Sequence, residues 1–382
     1  MSIPTLAGLS LSLIFASVEP TQVKNVPHHN IAAEQTRFAV VKEQNVLSLN
    51  SKGLFFYKKN EDPLILFSSK GRAEDRYWLG VGDFDNDKKE DVAYVTQHTL
   101  FVRHDSSPGD TPSYPSPQFH YELPHQKTAD AEGIVRDRES GFVVDMNNDG
   151  LDDIVLANTT GCYVFLNTRN FSFSQEVIDF PRQHEWGFEP CAFDWNEDGR
   201  RDIVLGTSQG VFVSYNTKNG FGVPEKIAQV HMPKTSDDVN NYTTNSSETN
   251  FPYVPHASWD DTLILKNGKY EGKDVLVAGT YYGFFLLSSE GIRRLRLADE
   301  QQNSMPHLRS TGNHDHPDFT LHEDVLTYAT KAGFFTAKLR NGFYVEITHG
   351  KVLDGGKNDR AFLLRIETGY TVGTSRQLSF FY

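Results

Sequence analysis

Three nine-residue segments of this chain read almost alike: Asp83-Phe-Asp-Asn-Asp-Lys-Lys-Glu-Asp91, Asp145-Met-Asn-Asn-Asp-Gly-Leu-Asp-Asp153 and Asp194-Trp-Asn-Glu-Asp-Gly-Arg-Arg-Asp202. Oxygen-bearing side chains fill the first, third, fifth and ninth positions of each. They are Asp83, Asp85, Asp87 and Asp91, then Asp145, Asn147, Asp149 and Asp153, then Asp194, Asn196, Asp198 and Asp202. Each segment runs straight into a β-type stretch, VAYV, IVLA or IVLG. A unit repeated in this way cannot bury its own apolar face and must stack on its neighbours, so the repeat constrains the fold first.

The acidic stretch also has a chemistry. A hard cation such as Ca2+ takes roughly six to eight oxygens from carboxylates, amides and backbone carbonyls of a tight loop. Alternate residues of a curled loop turn inward, and glycine at the sixth position allows the sharp bend. Gly150 and Gly199 fill that place, whereas Lys88 occupies it in the first copy. One Asp-Asn-Gly cluster would be an ordinary surface turn. Three in the same frame, each feeding the same strand pattern, point to cation binding, with Ca2+ as the expected cofactor. An EF-hand does not fit, because its loop of about twelve residues lies between helices.

The strands extend the repeat beyond the acidic copies. The run 202–215 (DIVLGTSQGVFVSY) is two strands around a short polar turn, and it aligns without gaps to 153–166 and 91–104. It also matches 274–287, 324–337, 369–382 and 37–50. The copies start about 55 residues apart on average, room for a four-stranded blade each.

The pattern of strand, Asp-x-Asp/Asn-x-Asp-Gly-x-x-Asp and Asp-Ile-Val-Leu-Gly resembles the FG-GAP (VCBS) repeat, found in the β-propeller of integrin α chains and in many secreted bacterial proteins. The resemblance is strong over residues 77–216 and fades in the last three copies, where the acidic loops are lost. It implies an all-β fold, a seven-bladed β-propeller of four-stranded blades filling residues 22–382, with calcium-binding loops in three blades. The 27 Phe, 16 Tyr and 4 Trp suit strands and packing between blades. Since the first copy begins on a second strand and the last ends on a third, a strand from residues 22–36 is expected to close the ring.

Residues 6–18 form an apolar run followed by small and then polar residues, the layout of a signal peptide over residues 1–18. A secreted, periplasmic or extracellular location follows, and no later stretch reaches the length of a transmembrane helix. Asn158, Asn170, Asn241 and Asn245 head glycosylation sequons. Cys162 and Cys191 fit no zinc spacing, and both a disulfide and two buried thiols stay open.

In the propeller that the resemblance implies, the segments leading into each first strand are expected to gather on the face opposite the acidic loops. They supply Arg136, His184, Trp186, His256, His314, His316 and Arg360, while Tyr281, Tyr282 and His98 sit in turns facing the same mouth. Loops on a rigid scaffold commonly carry binding residues. With 37 Lys+Arg against 50 Asp+Glu, the net charge of −13 argues against nucleic acid as a partner. His-Glu-x-x-His does not occur, and the single Gly-x-Ser-x-Gly, at 206–210, lies in the polar turn of the aligned run 202–215. The function expected is a binding module for a glycan or an extracellular protein. The alternative is a polysaccharide lyase acting on uronate-containing polysaccharide, with Arg136, His184, His256, Tyr281 and His314 as its candidate set.

Overall fold

The computed structural model describes residues 23–27, 37–41, 45–50, 53–57, 64–68, 77–96, 98–104, 117–124, 140–158, 160–181, 190–207, 210–231, 253–255, 264–280, 283–289, 291–297, 318–330, 333–340, 343–349, 362–366, 369–373 and 377–381. Every regular element among them is a β-strand, so no helix there is long and apolar enough to cross a membrane.

The strands group into antiparallel four-strand meanders. In the second, Tyr77–Gly82, Asp91–Thr96, Thr99–Arg103 and Phe119–Glu122 pair in chain order. The third comprises Ser140–Val144, Asp153–Asn158, Gly161–Asn167 and Phe173–Ile178. The fourth opens with Pro190–Phe193, Asp202–Thr207 and Gly210–Ser214, then takes Glu225–His231 as its fourth strand, on whose far side Tyr253–Pro255 adds in parallel. The first unit begins at Arg37–Val41, and two later units begin at Ile264–Tyr270 and Asp318–His322. These two units merge into one larger sheet through a parallel contact of Gly268 with Leu321.

The last sheet holds both ends of the described chain. Val23–Pro27 pairs antiparallel with Gln377–Phe381, which pairs with Gly369–Gly373 and through it with Phe362–Ile366. That is the closing strand expected between residues 22 and 36. The first strands of successive units touch in order, and Phe362–Ile366 touches Arg37–Val41 in turn.

Alternation along the second strands explains why they read as unbroken apolar runs. Ile154 and Leu156 point into the core shared with the preceding sheet, beside Trp78, Val95 and Val102. Val155 and Ala157 point the other way, joining Ile203, Leu205 and Phe212 of the following sheet. The same split sends Val92 and Tyr94 one way and Ala93 and Val95 the other. A strand buried on both faces cannot alternate polar with apolar residues. Each fully buried Val, Leu or Ile contributes about 1.5–3 kcal/mol, so the sheets are held mainly by their neighbours. The inner strands pack closely: a Cβ on Gly82 would lie 2.7 Å from Val143 and 2.9 Å from the Asp152 carboxylate.

The connection between first and second strands carries the acidic segments in three units. In the units beginning at Ile264 and Asp318 it shrinks to Glu271-Gly272 and Glu323-Asp324, all with positive φ, the torsions of tight hairpin turns.

Candidate metal centre

The acidic segments fold as three copies of one loop. In the second copy the Asp145 carboxylate accepts from the Asp149 and Gly150 amides at 3.2 and 2.8 Å, and Asp149 accepts from the Leu151 amide at 2.9 Å. In the third, Asp194 accepts from the Asp198 and Gly199 amides at 3.0 and 2.8 Å, and Asp198 from the Arg200 amide at 2.9 Å. The first copy keeps the frame, with the Lys88 amide on Asp83 at 3.0 Å and the Lys89 amide on Asp87 at 2.8 Å. Positions four and six are left-handed in all three: Asn86 and Lys88, Asn148 and Gly150, Glu197 and Gly199. Lys88 adopts a φ of 69°, a conformation glycine reaches without the penalty of a Cβ.

The ninth position anchors each loop. Asp91, Asp153 and Asp202 are fully buried, although carboxylates are rarely buried without partners. Asp153 accepts from the Met146 amide at 2.7 Å and the Asn167 amide at 2.7 Å. Asp202 accepts from the Trp195 and Asn216 amides at 2.9 and 2.8 Å, and Asp91 from the Phe84 amide at 2.9 Å. Burial pushes the Asp153 carboxyl up to about 7 against those hydrogen bonds, with the Asp149 and Asp145 charges adding to the rise. Asp202 and Asp152 are raised for the same first reason, burial. At the rim, the backbone amides of Lys89 and Arg200 hold Asp87 and Asp198 below the usual range. Anions gathered around a buried anion form a place where a dication lowers the energy of every neighbour. In the first loop, ligand atoms of Asp83, Asp85 and Asp87 lie within 4.8 Å of one another.

Two residues outside the acidic segments complete the design, and sequence reasoning missed them. Asn167, buried, donates from Nδ2 to the Phe84 carbonyl at 3.0 Å and the Asp152 carbonyl at 3.1 Å. Asn216 repeats this with the Met146 and Arg201 carbonyls at 2.6 and 3.2 Å. Each asparagine thus ties its own loop to the loop of the preceding unit. Arg201 adds a bond to the Asp145 carbonyl at 3.0 Å, and Asp152 accepts from the Asp83 amide at 2.9 Å. The signal was an Asn one place beyond the end of the aligned runs 153–166 and 202–215. Asn216→Ala strands two carbonyls, and a loss of about 2–3 kcal/mol is expected in urea unfolding. The exposed Asn219→Ala should change stability by less than about 0.5 kcal/mol. Equal effects from the two would remove the role assigned to Asn216.

The residues expected at the opposite mouth, Arg136, His184, Trp186, His256, Tyr281, Tyr282, His314, His316 and Arg360, all lie outside the described residues. His98 is described: it has a φ of 62°, and its carbonyl accepts from the Leu123 amide at 2.8 Å. Both cysteines are free and buried, in different inter-sheet cores. Cys191 donates to the Asn267 amide oxygen at 2.9 Å, and burial pushes the Cys162 thiol up. Of the sequons, Asn158 is buried with Nδ2 bonded to the Pro124 carbonyl at 2.8 Å, so that nitrogen is already committed. Asn170 is exposed in a turn, and Asn241 and Asn245 lie outside the described residues.

Residues 145–205, from the start of the second loop through the strand after the third, match the FG-GAP-like repeat family. Solved structures agree on the fold. One is a lectin from Agrocybe aegerita that recognises non-reducing terminal N-acetylglucosamine, 13% identical with a TM-score of 0.50 over 82% of this chain and 80% of that one. The extracellular domain of a hybrid two-component system of B. thetaiotaomicron is 14% identical with a TM-score of 0.57, covering 94% of this chain but 39% of the other. BBS1N, solved in complex with ARL6DN, is 10% identical with a TM-score of 0.51 over 96% and 98% of the two chains. No curated protein matches the sequence significantly. The chain is therefore an all-β protein of repeated four-stranded antiparallel sheets, carrying an FG-GAP-like repeat and having propeller-like neighbours.

Proposed function

We propose that this chain is a seven-bladed β-propeller that binds Ca2+ in its acidic loops and acts outside the cytoplasm as a binding module for a glycan or an extracellular protein. One observation carries the reading: the same loop, with the same left-handed positions and the same buried aspartate, stands in three successive sheets. The ordered contact of the first strands, with the last returning to the first, supports a closed ring. Neutralised loops of this kind stiffen one end of the sheets. The lead-in segments with Arg136, His184, Trp186, His256, His314, His316 and Arg360, expected from the sequence at the opposite end, are our candidate recognition surface. The Agrocybe aegerita lectin supports the choice of glycan, because there this fold serves sugar recognition. The apolar run at residues 6–18, read as a signal peptide, supports a location outside the cytoplasm.

The test is a glycan array with acidic and neutral sugars, run on the parent and on the combined Arg136→Ala, His184→Ala, His316→Ala variant. The parent should bind an acidic glycan and the variant should lose at least about tenfold, as when charge-assisted hydrogen bonds are removed. The melting curve should not move. Equal binding by both proteins would discard the mouth as the ligand surface. Accumulation of an ultraviolet-absorbing unsaturated product from a uronate polysaccharide would replace binding with lyase activity.

A further inference from the structure

The first loop differs from the other two in one ligand. His104 occupies the place in its hairpin that Leu166 and Tyr215 occupy in theirs, thirteen residues after the ninth-position aspartate. Its Nδ1 lies 3.0 Å from Asp85 Oδ2 and 3.3 Å from Asp91 Oδ1. That nitrogen is shielded from solvent, yet no hydrogen bond of acceptable geometry reaches it, so it addresses the gap between the two carboxylates rather than either one. In the same loop, Asp83 Oδ1 is also shielded and has no hydrogen-bond partner. The ligand atoms of Asp85, Asp91 and His104 fall within 4.8 Å of one another. Phe171 of the next sheet meets the imidazole edge-on at 5.8 Å between ring centres, which fixes the ring plane.

We propose that this first loop is a transition-metal site, holding a dication of the Zn2+, Co2+ or Mn2+ kind through His104, Asp85 and Asp91 rather than Ca2+ through oxygens alone. The inference rests on the reading of the acidic loops as cation sites and assigns a different ion to one of them. Ligands of an ion held at about 2.0–2.1 Å stand about 3.0–3.3 Å apart, the separations found around His104 Nδ1. Imidazole is a ligand for borderline transition ions, whereas Ca2+ takes oxygen donors.

Co2+ is a suitable probe, because its visible absorption reports nitrogen ligation. The full chain carrying Asp145→Ala and Asp194→Ala leaves only the first loop intact. It should take up Co2+ with a visible band that a tenfold excess of Ca2+ does not remove and an equal amount of Zn2+ does. Adding His104→Leu, the side chain found at Leu166, should weaken Co2+ binding at least about tenfold. His104→Gln, which keeps a polar atom without an imidazole, should do the same, with circular dichroism reporting the fold of each variant. Unchanged Co2+ affinity in a folded His104 variant, or displacement by equimolar Ca2+, would overturn the proposal and leave His104 as the partner of an ordinary ion pair. The calcium reading fails separately: it depends on the second and third loops of the parent chain, which none of the His104 changes touches.

Discussion

Chelation is expected to lower the melting temperature of this protein, and added Ca2+ to restore it. An ion bound only by the folded chain stabilises it by about 4 kcal/mol per site when present at a thousandfold excess over its Kd. Surface ion pairs contribute about 0–1 kcal/mol, so the metal term dominates any rearrangement of rim charges. The buried Asp153 and Asp202 make the effect large, since each is a carboxyl held in the interior, where burial and the repulsion of neighbouring carboxylates oppose its charge. Without a cation that repulsion is part of the folded state and is relieved on unfolding. Asp145→Ala should reproduce part of the loss and blunt the response to Ca2+, and Asp194→Ala should act likewise in the third loop. A melting curve indifferent to chelator would reduce all three loops to hydrogen-bonded turns.

Removal of the closing strand should have a comparable effect by a different route. Gln377–Phe381 lies between Val23–Pro27 and Gly369–Gly373 and is the sole link that brings the amino-terminal strand into the last sheet among the described residues. A chain ending at residue 370 loses that strand and most of the one beside it, and leaves Val23–Pro27 without a ladder partner. In an open row the terminal sheets expose the apolar faces that neighbours cover, and exposed strand edges favour aggregation. Total domain stability is about 5–15 kcal/mol, less than the burial forfeited by opening the ring. The truncated protein should show no cooperative unfolding transition in circular dichroism. Cooperative melting near the parental temperature would mean that the sheets do not depend on closure.

Much of this was legible in the sequence, because a repeat writes the same local rule several times. The frame of the acidic loops and the hairpins after them followed from signals within about fifteen residues of one another, and the need for a closing strand followed from comparing the first and last copies of the repeat. What escaped was long-range. Asn167 reaches a carbonyl 83 residues away and Asn216 one 70 residues away, contacts that no local pattern encodes. His104 stood inside an aligned run and read as a strand residue, since nothing in the run states that its ring faces Asp85 and Asp91. Lys88 was legible as an uncomfortable substitute for glycine, and it does take the glycine conformation. Asn158 looked like a glycosylation acceptor because the sequon is a local motif, whereas its burial against Pro124 is not.

The central claim is that the loops at 145–153 and 194–202 are calcium sites built into the repeat. Equilibrium dialysis against labelled Ca2+ tests it on the parent and on the Asp145→Ala, Asp194→Ala double variant. The parent should bind saturably at both loops and the folded double variant should lose both ions. A parent that binds no calcium, or a double variant that binds as much as the parent, would contradict the account.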